Sequence, residues 1–258
     1  MLNQEQSEFF WEHGYLHIPE VFTVEETDKL SSELDWLIEE WANETLGWSG
    51  PWRKEYMDEE TEKKSKLIAM HDLYFYSEAW MKAVTNPRLC SAMAGLLGPN
   101  VELHHSTMHV KPTQTGQPFP MHQDWQYFPT INDTMIAGVV HVSEATDEMG
   151  CFRVYPGSHK ELGRCEGMMG SGQNAEVHKL YPIDKATVLQ AESGDVVFFH
   201  YFTLHGSMPN SSLKTRKTVL VQLYAGNDKV EDGNGHTDVR LVLRGWNHMV
   251  TRSIAGSV

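Results

Sequence analysis

The sequence predicts a mainly β fold with flanking helices, an α+β arrangement around a jelly-roll core. Three observations carry that prediction. The first hundred residues show helical periodicity and helix-capping patterns. Beyond residue 100 the texture changes to short alternating or β-branched runs bounded by Gly, Pro and Asn. The chain has 258 residues, a length that all-β barrels and sandwiches reach as one unit. We therefore expect one domain over residues 1–258, with mostly helical support at 1–100, the jelly-roll core at 101–226 and a C-terminal extension at 227–258.

In chain order, Phe9, Phe10, His13 and Gly14 close a short first helix, and Tyr15 to Val21 makes a brief strand broken by Pro19. Thr23 followed three residues later by Glu26 is a capping box. Leu30, Leu34, Leu37, Ile38 and Trp41 then recur at helical spacing, which predicts an amphipathic helix over residues 24–46. Residues 47–66 read as an irregular excursion. Asn86-Pro87 offers an N-cap and a first-turn proline, so a helix runs through Leu89, Met93, Leu96 and Leu97 to Gly98-Pro99. The strand-like runs follow: Val101 to Val110, Ile136 to Val142, Cys151 to Tyr155, Thr187 to Gln190, Asp195 to His200 and Thr218 to Tyr224. Many short strands with turn punctuation favour a jelly roll. Residues 159–182, with Met168-Met169-Gly170-Ser171-Gly172, are too long and glycine-rich for a tight turn and read as an insertion able to act as a lid.

Composition removes several classes of function. Lys and Arg total 21 against 35 Asp and Glu, a formal charge of −14, which repels nucleic acid and anionic membranes unless a basic patch overrides it. Lys63, Lys64 and Lys66 follow Asp58, Glu59, Glu60 and Glu62, and read as a solvated mixed-charge face. Cys90, Cys151 and Cys165 are too few and too irregularly spaced for a disulfide framework. No apolar run approaches the ~20 residues of a membrane span, and neither a secretory signal nor a peroxisomal tripeptide is visible. The expectation is a cytoplasmic protein acting on a small molecule, with oligomeric state left open.

Position decides among the fourteen histidines. His122 and Asp124 are two residues apart, and on a strand such residues share a face. A second imidazole completes a facial triad of two His and one carboxylate, which leaves three adjacent metal positions open for a keto acid and O₂. His205 follows the run from Asp195 to Leu204, and Arg216 comes eleven residues later, beyond Pro209-Asn210. That spacing puts a guanidinium beyond the metal, where it can take the far carboxylate of a dicarboxylic acid. His200 is the rival of His205, but their odd spacing sends them to opposite faces of a regular strand, and Gly206-Ser207 with Arg216 favours His205. His104, His105, His109, His141 and His159 read as packing or loop histidines. A closed structural zinc site usually takes four ligands, often Cys, and no cysteine lies beside these three.

Four ordered blocks resemble the phytanoyl-CoA dioxygenase family. They are Lys111-Pro112 through His122-Gln123-Asp124-Trp125 to Pro129, then Gly150 to Lys160, then Gly194 to His200, and finally His205-Gly206-Ser207 with Asn210 and Arg216. Weaker similarity reaches Phe10, Gly14-Tyr15 and the helix from Val24. The resemblance implies a double-stranded β-helix core, iron(II) on His122, Asp124 and His205, and 2-oxoglutarate held by Arg216 with Ser207. Thr107 matches a position lining the cosubstrate site, and a tryptophan of the mammalian enzyme aligns with Val139 or Val140. The basic stretch which that enzyme carries before the HxD is here Thr113 to Pro120, which weakens the case for a CoA thioester.

The implied reaction joins 2-oxoglutarate and O₂ to substrate oxidation, giving succinate and CO₂, with ascorbate as an auxiliary reductant. Related halogenases carry a small residue where Asp124 stands, so a carboxylate there predicts hydroxylation of a C–H bond. Trp125, Tyr127 and Phe128, with side chains from residues 159–182, are the candidate substrate wall. Two alternatives remain: a metal-binding cupin-type enzyme without a keto-acid cosubstrate, which would leave Arg216 without a task, and a non-catalytic member of the fold.

Overall fold

The computed structural model describes residues 2–45, 53–168, 174–232, 234 and 236–247. Helix α1 (Gln4–His13) is opened by a capping box on Asn3 and ended by Gly14 at φ 79°, and β1 (Tyr15–Ile18) stops before Pro19. In α2 (Val24–Glu40) the Thr23 hydroxyl accepts from Glu26 N at 3.3 Å while the Glu26 carboxylate accepts from Thr23 N at 2.8 Å. The helix ends six residues before the expected 46, because Trp41 leaves helical geometry at φ −141° and the chain turns into β2 (Asn43–Thr45). Of the expected excursion at 47–66, residues 47–52 lie outside the described ones, and the remainder holds two short helices, α3 (Arg53–Tyr56) and α4 (Glu59–Lys64). Two elements without a clear sequence signal follow, β3 (Leu67–His71) and α5 (Glu78–Val84). Helix α6 (Pro87–Leu97) is capped by Asn86, as its sequence predicts.

The core strands are β4 (Val101–Lys111), β5 (Phe119–His122), β6 (Ile136–His141), β7 (Phe152–Val154), β8 (Thr187–Leu189), β9 (Val196–His200), β10 (His205–Ser207), β11 (Arg216–Ala225) and β12 (Leu241–Arg244). Between β7 and β8 lie α7 (Ser158–Leu162) and α8 (Ala175–Leu180); residues 169–173 of the expected lid fall outside the described ones. The named strands pair antiparallel. One sheet runs β1-β9-β6-β11-β4-β3-β2 with β12 also on β4, and the second runs β5-β10-β7-β8. Two facing antiparallel sheets of this kind are a jelly roll.

Strand alternation gives the large sheet two different faces. Val219, Val221 and Leu223 of β11, with Met108 and Val110 of β4, face outward onto Leu30, Leu34 and Leu37 of α2 and Leu89, Met93 and Leu96 of α6. Each such side chain contributes about 1.5–3 kcal/mol when fully buried, so helices and sheet fold as one body. The opposite face carries His105, Thr107 and His109 of β4 and Arg216, Thr218, Leu220 and Gln222 of β11, and it looks into the space between the sheets.

Candidate active site

Strands β5 and β10 pair antiparallel with His122 directly opposite His205. The Nε2 atoms of the two histidines lie 3.4 Å and 3.5 Å from the same oxygen, Asp124 Oδ1. The convergence does not come from alternation along a strand, as the spacing alone suggests. β5 ends at His122, and Asp124 lies in the bend that follows, its N–H donating to Tyr201 O at 2.9 Å.

Hydrogen bonding orients this group as a cation site. His122 Nδ1 sits 2.7 Å from Pro120 O and His205 Nδ1 sits 2.8 Å from Thr203 O. A carbonyl only accepts, so each Nδ1 carries a proton, and each ring turns its Nε2, the atom left to ligate a metal, towards Asp124. Burial pushes the Asp124 carboxyl up, but His205 and His122 outweigh it and hold the group well below the usual carboxylate range. Two imidazole Nε2 atoms and a carboxylate oxygen thus face one another, and one donor nitrogen or oxygen from each lies within 4.8 Å of the others. Gln222 Nε2 donates to Asp124 Oδ2 at 3.0 Å and fixes the carboxylate plane. A donor set of two neutral nitrogens and one carboxylate suits a divalent transition metal with open positions.

His200 stays apart from this group. Its Nδ1 accepts from Phe202 N and its Nε2 lies 3.1 Å from Asp133 O, so it knits the turn between β9 and β10.

The triad opens onto a cavity of about 300 Å³ between the sheets. At its buried end stands Arg216, paired in register with Lys111 across β11 and β4. Arg216 Nη1 donates to Gly150 O, and Lys111 Nζ reaches the same carbonyl at 3.5 Å as well as Ser207 Oγ and Met208 O, both at 2.6 Å. Gly150 has φ 66°, and a Cβ there would fall 2.1 Å from Met208 O, so only glycine brings that carbonyl to the two basic side chains. Burial lowers the Arg216 pKa to about 10, which leaves it charged at neutral pH. Burial followed by the nearness of Arg216 pushes Lys111 well below its usual value. Among the described residues no carboxylate meets either side chain.

Arg216, Ser207 and Thr107 all line this cavity, as the sequence analysis expects of a cosubstrate site. Thr107 Oγ1 is engaged with His71 Nδ1 at 3.2 Å. Val139, not Val140, lines the cavity; Val140 packs into the helix-side core. Tyr127 and Phe128 belong to the wall, but Trp125 does not: it packs against Phe202 with the Arg164 guanidinium 5.3 Å from its ring. No described residue of 159–182 lines the cavity either; Met168 and Val177 instead pack on Met121 and Leu204.

Several lining residues escape the sequence analysis. His105, His109 and His141, there read as packing residues, all face the cavity. Neither ring nitrogen of the buried His141 has a hydrogen-bond partner among the described residues, and burial with Arg216 nearby holds its pKa to about 3. The alternation His105-x-Thr107-x-His109 was the available signal; it needed the register with β11 to be read as polar-inward.

A phytanoyl-CoA dioxygenase (PhyH) sequence profile matches residues 10–218. The chain belongs to that family. Its relatives include a probable alpha-ketoglutarate-dependent hypophosphite dioxygenase of Stutzerimonas stutzeri, 28% identical over 87% of this chain and 79% of that one. The human peroxisomal phytanoyl-CoA dioxygenase is 26% identical over 85% of this chain and 67% of its own length. Among solved structures, the non-heme alpha ketoglutarate dependent epimerase SnoN from nogalamycin biosynthesis superposes with a TM-score of 0.74 at 18% identity, covering 94% of this chain and 98% of its own. EctD from S. alaskensis gives 0.72 at 20% identity, over 95% of this chain and 87% of its own. The fold class is therefore shared, and family membership makes the chain an enzyme of the 2-oxoglutarate-dependent dioxygenase class. No helix among the described residues is long and apolar enough to cross a membrane.

Proposed function

We propose that this family member binds iron(II) on His122, Asp124 and His205, holds 2-oxoglutarate through Arg216, and hydroxylates a C–H bond of a small-molecule metabolite. The observation that carries the reading is the pairing, in one cavity, of a two-nitrogen, one-oxygen cluster with a buried guanidinium that no carboxylate among the described residues meets. Iron bound there supplies the O₂ activation that couples decarboxylation of 2-oxoglutarate to substrate oxidation.

The protein's own tasks are holding and excluding. Arg216 offers its charge to the far carboxylate of the keto acid, with Thr218, Ser207 and His141 around it. Phe152, Val139 and Leu220 give the cavity apolar walls that keep water from the reacting end. Pro120 and Thr203 carbonyls hold the two imidazoles in the ligating tautomer. Asp124 occupies the position where a halide would otherwise enter, which supports hydroxylation. The lining supports a compact substrate over a CoA thioester, because Arg216 and Lys111, the basic side chains described at the buried end, are both held by the Gly150 carbonyl. Relatives named for hypophosphite, ectoine and phytanoyl-CoA show how widely substrates range around this site.

The test is anaerobic titration of purified protein with iron(II) and 2-oxoglutarate. The weak visible band of the iron–keto-acid chelate is expected, and on admitting O₂ with ascorbate, succinate should form. Absence of both would overturn the reading.

A further inference from the structure

A second set of imidazoles converges in the same cavity, outside the candidate metal group. His71 at the end of β3, His105 on β4 and His236 beyond β11 each place one ring nitrogen within 4.8 Å of the others, and all three line the cavity. His105 and His236 stack with centroids 4.5 Å apart and planes at 11°, and the Phe128 ring abuts both at 5.1 Å and 5.6 Å. Such a cluster could serve a cation or an anion. Protonation decides which.

The backbone N–H of His236 donates to Asn234 Oδ1 at 2.9 Å, which fixes the orientation of that amide. Asn234 Nδ2 therefore donates to His104 Nε2, 2.7 Å away. Burial brings His104 to about 4, so the ring is neutral near neutral pH and its single proton resides on Nδ1. That Nδ1 lies 2.6 Å from His105 Nδ1. His105 must accept there, and as a neutral ring it carries its own proton on Nε2. Among the described residues no protein group accepts from that N–H. A ring that presents N–H is unsuited to a metal and suited to an oxygen acceptor. His105 also pairs in register with Gln222, whose amide holds Asp124, so the donor stands one strand from the candidate metal ligands.

We propose that His71, His105 and His236 form the substrate-recognition site, and that it takes a small molecule through an oxyanion, either a carboxylate or a phosphonate. This rests on the dioxygenase reading above, since it assigns the substrate side of that same cavity. Asn234 and His104 are positioning residues that set the His105 tautomer.

The relay can be reversed without altering a cavity side chain. Asn234→Asp keeps an oxygen for His236 N–H but accepts from His104 Nε2 where Asn234 donates, so each proton in the chain moves to the other nitrogen. In ¹⁵N-histidine-labelled protein, His105 should give the Nε2–H signature in the wild type and the Nδ1–H signature in Asn234→Asp. With 2-oxoglutarate saturating, propionate and methylphosphonate are titrated separately, so the two arms tell a carboxylate site from a phosphonate site. The better probe should bind roughly 10- to 100-fold more weakly to Asn234→Asp, the loss of one charge-assisted hydrogen bond. His105→Phe should lose the same affinity and serves if Asn234→Asp does not fold.

A bare His105 Nε2 in the wild type, unchanged probe affinity in both variants, or a second equivalent of Zn²⁺ that His236→Ala removes would each overturn the proposal. The iron–keto-acid band is read on the same samples. Its absence from the wild type sinks the dioxygenase reading itself; its presence with probes indifferent to both variants sinks only this inference.

Discussion

Gln222 Nε2 donates to Asp124 Oδ2 at 3.0 Å, so one oxygen of the carboxylate is held by the large sheet while the other faces His122 and His205 on the small one. The hydrogen bond sets the angle at which Asp124 would meet a metal. Gln222→Leu removes it without altering a proposed ligand. Metal affinity, measured by calorimetric titration, should fall roughly 10- to 100-fold, the usual cost of losing such a partner.

His122→Ala and Asp124→Ala remove proposed ligands outright. Both should abolish iron retention after gel filtration and abolish succinate formation, with the circular dichroism spectrum unchanged. A variant that keeps one iron per chain would remove that residue from the ligand set.

Arg216→Ala tests the cosubstrate assignment. The guanidinium is buried and its pairing with a carboxylate is charge-assisted, worth ~1.5–3 kcal/mol. The 2-oxoglutarate requirement should rise roughly 10- to 100-fold, with kcat much less affected. A silent variant would favour the reading without a keto acid.

Stability should fall as pH drops from neutral. His200 receives Phe202 N–H on Nδ1 and has Nε2 against Asp133 O, so a second ring proton would meet a donor. Burial, then the neighbouring His159, lowers its pKa from 6.5 to about 4. The unfolded chain takes up a proton below about 6.5 that the folded chain refuses until about 4, so unfolding binds protons across that window and becomes easier through it. The loss from this one ring amounts to roughly 3 kcal/mol. Urea melts between pH 7 and pH 4 should record it, and His200→Gln should remove that share of the slope, leaving the part owed to His104, His109 and His141.

Much of the fold is legible in the residues alone. Thr23 with Glu26, and Asn86-Pro87, mark helix starts that the structure reproduces, because capping is a local hydrogen-bond pattern. The helix from Val24 overran in the reading because no glycine or proline marks its end at Glu40. β3 and α5 lacked strong signals: Leu67-Ile-Ala-Met-His alternates weakly, and α5 is only seven residues long. At the site, His122, Asp124, His205 and Arg216 were found from spacing and family resemblance. Gln222, His141 and the cluster of His71, His105 and His236 were not, because their meaning depends on which strands lie side by side. His71 and His236 come together although they lie 165 positions apart in the chain, and no periodicity encodes that.

Arg216 and Lys111 converge on the single carbonyl of Gly150, in a place that water scarcely reaches. Two basic groups so enclosed disfavour each other's charge, and the fold bears that cost for as long as no counter-ion joins them. A dicarboxylate arriving at Arg216 would relieve it, acting on the protein as an internal ion pair does. Its binding should therefore register as a rise in melting temperature that grows with the logarithm of concentration, before any substrate is present or any turnover occurs.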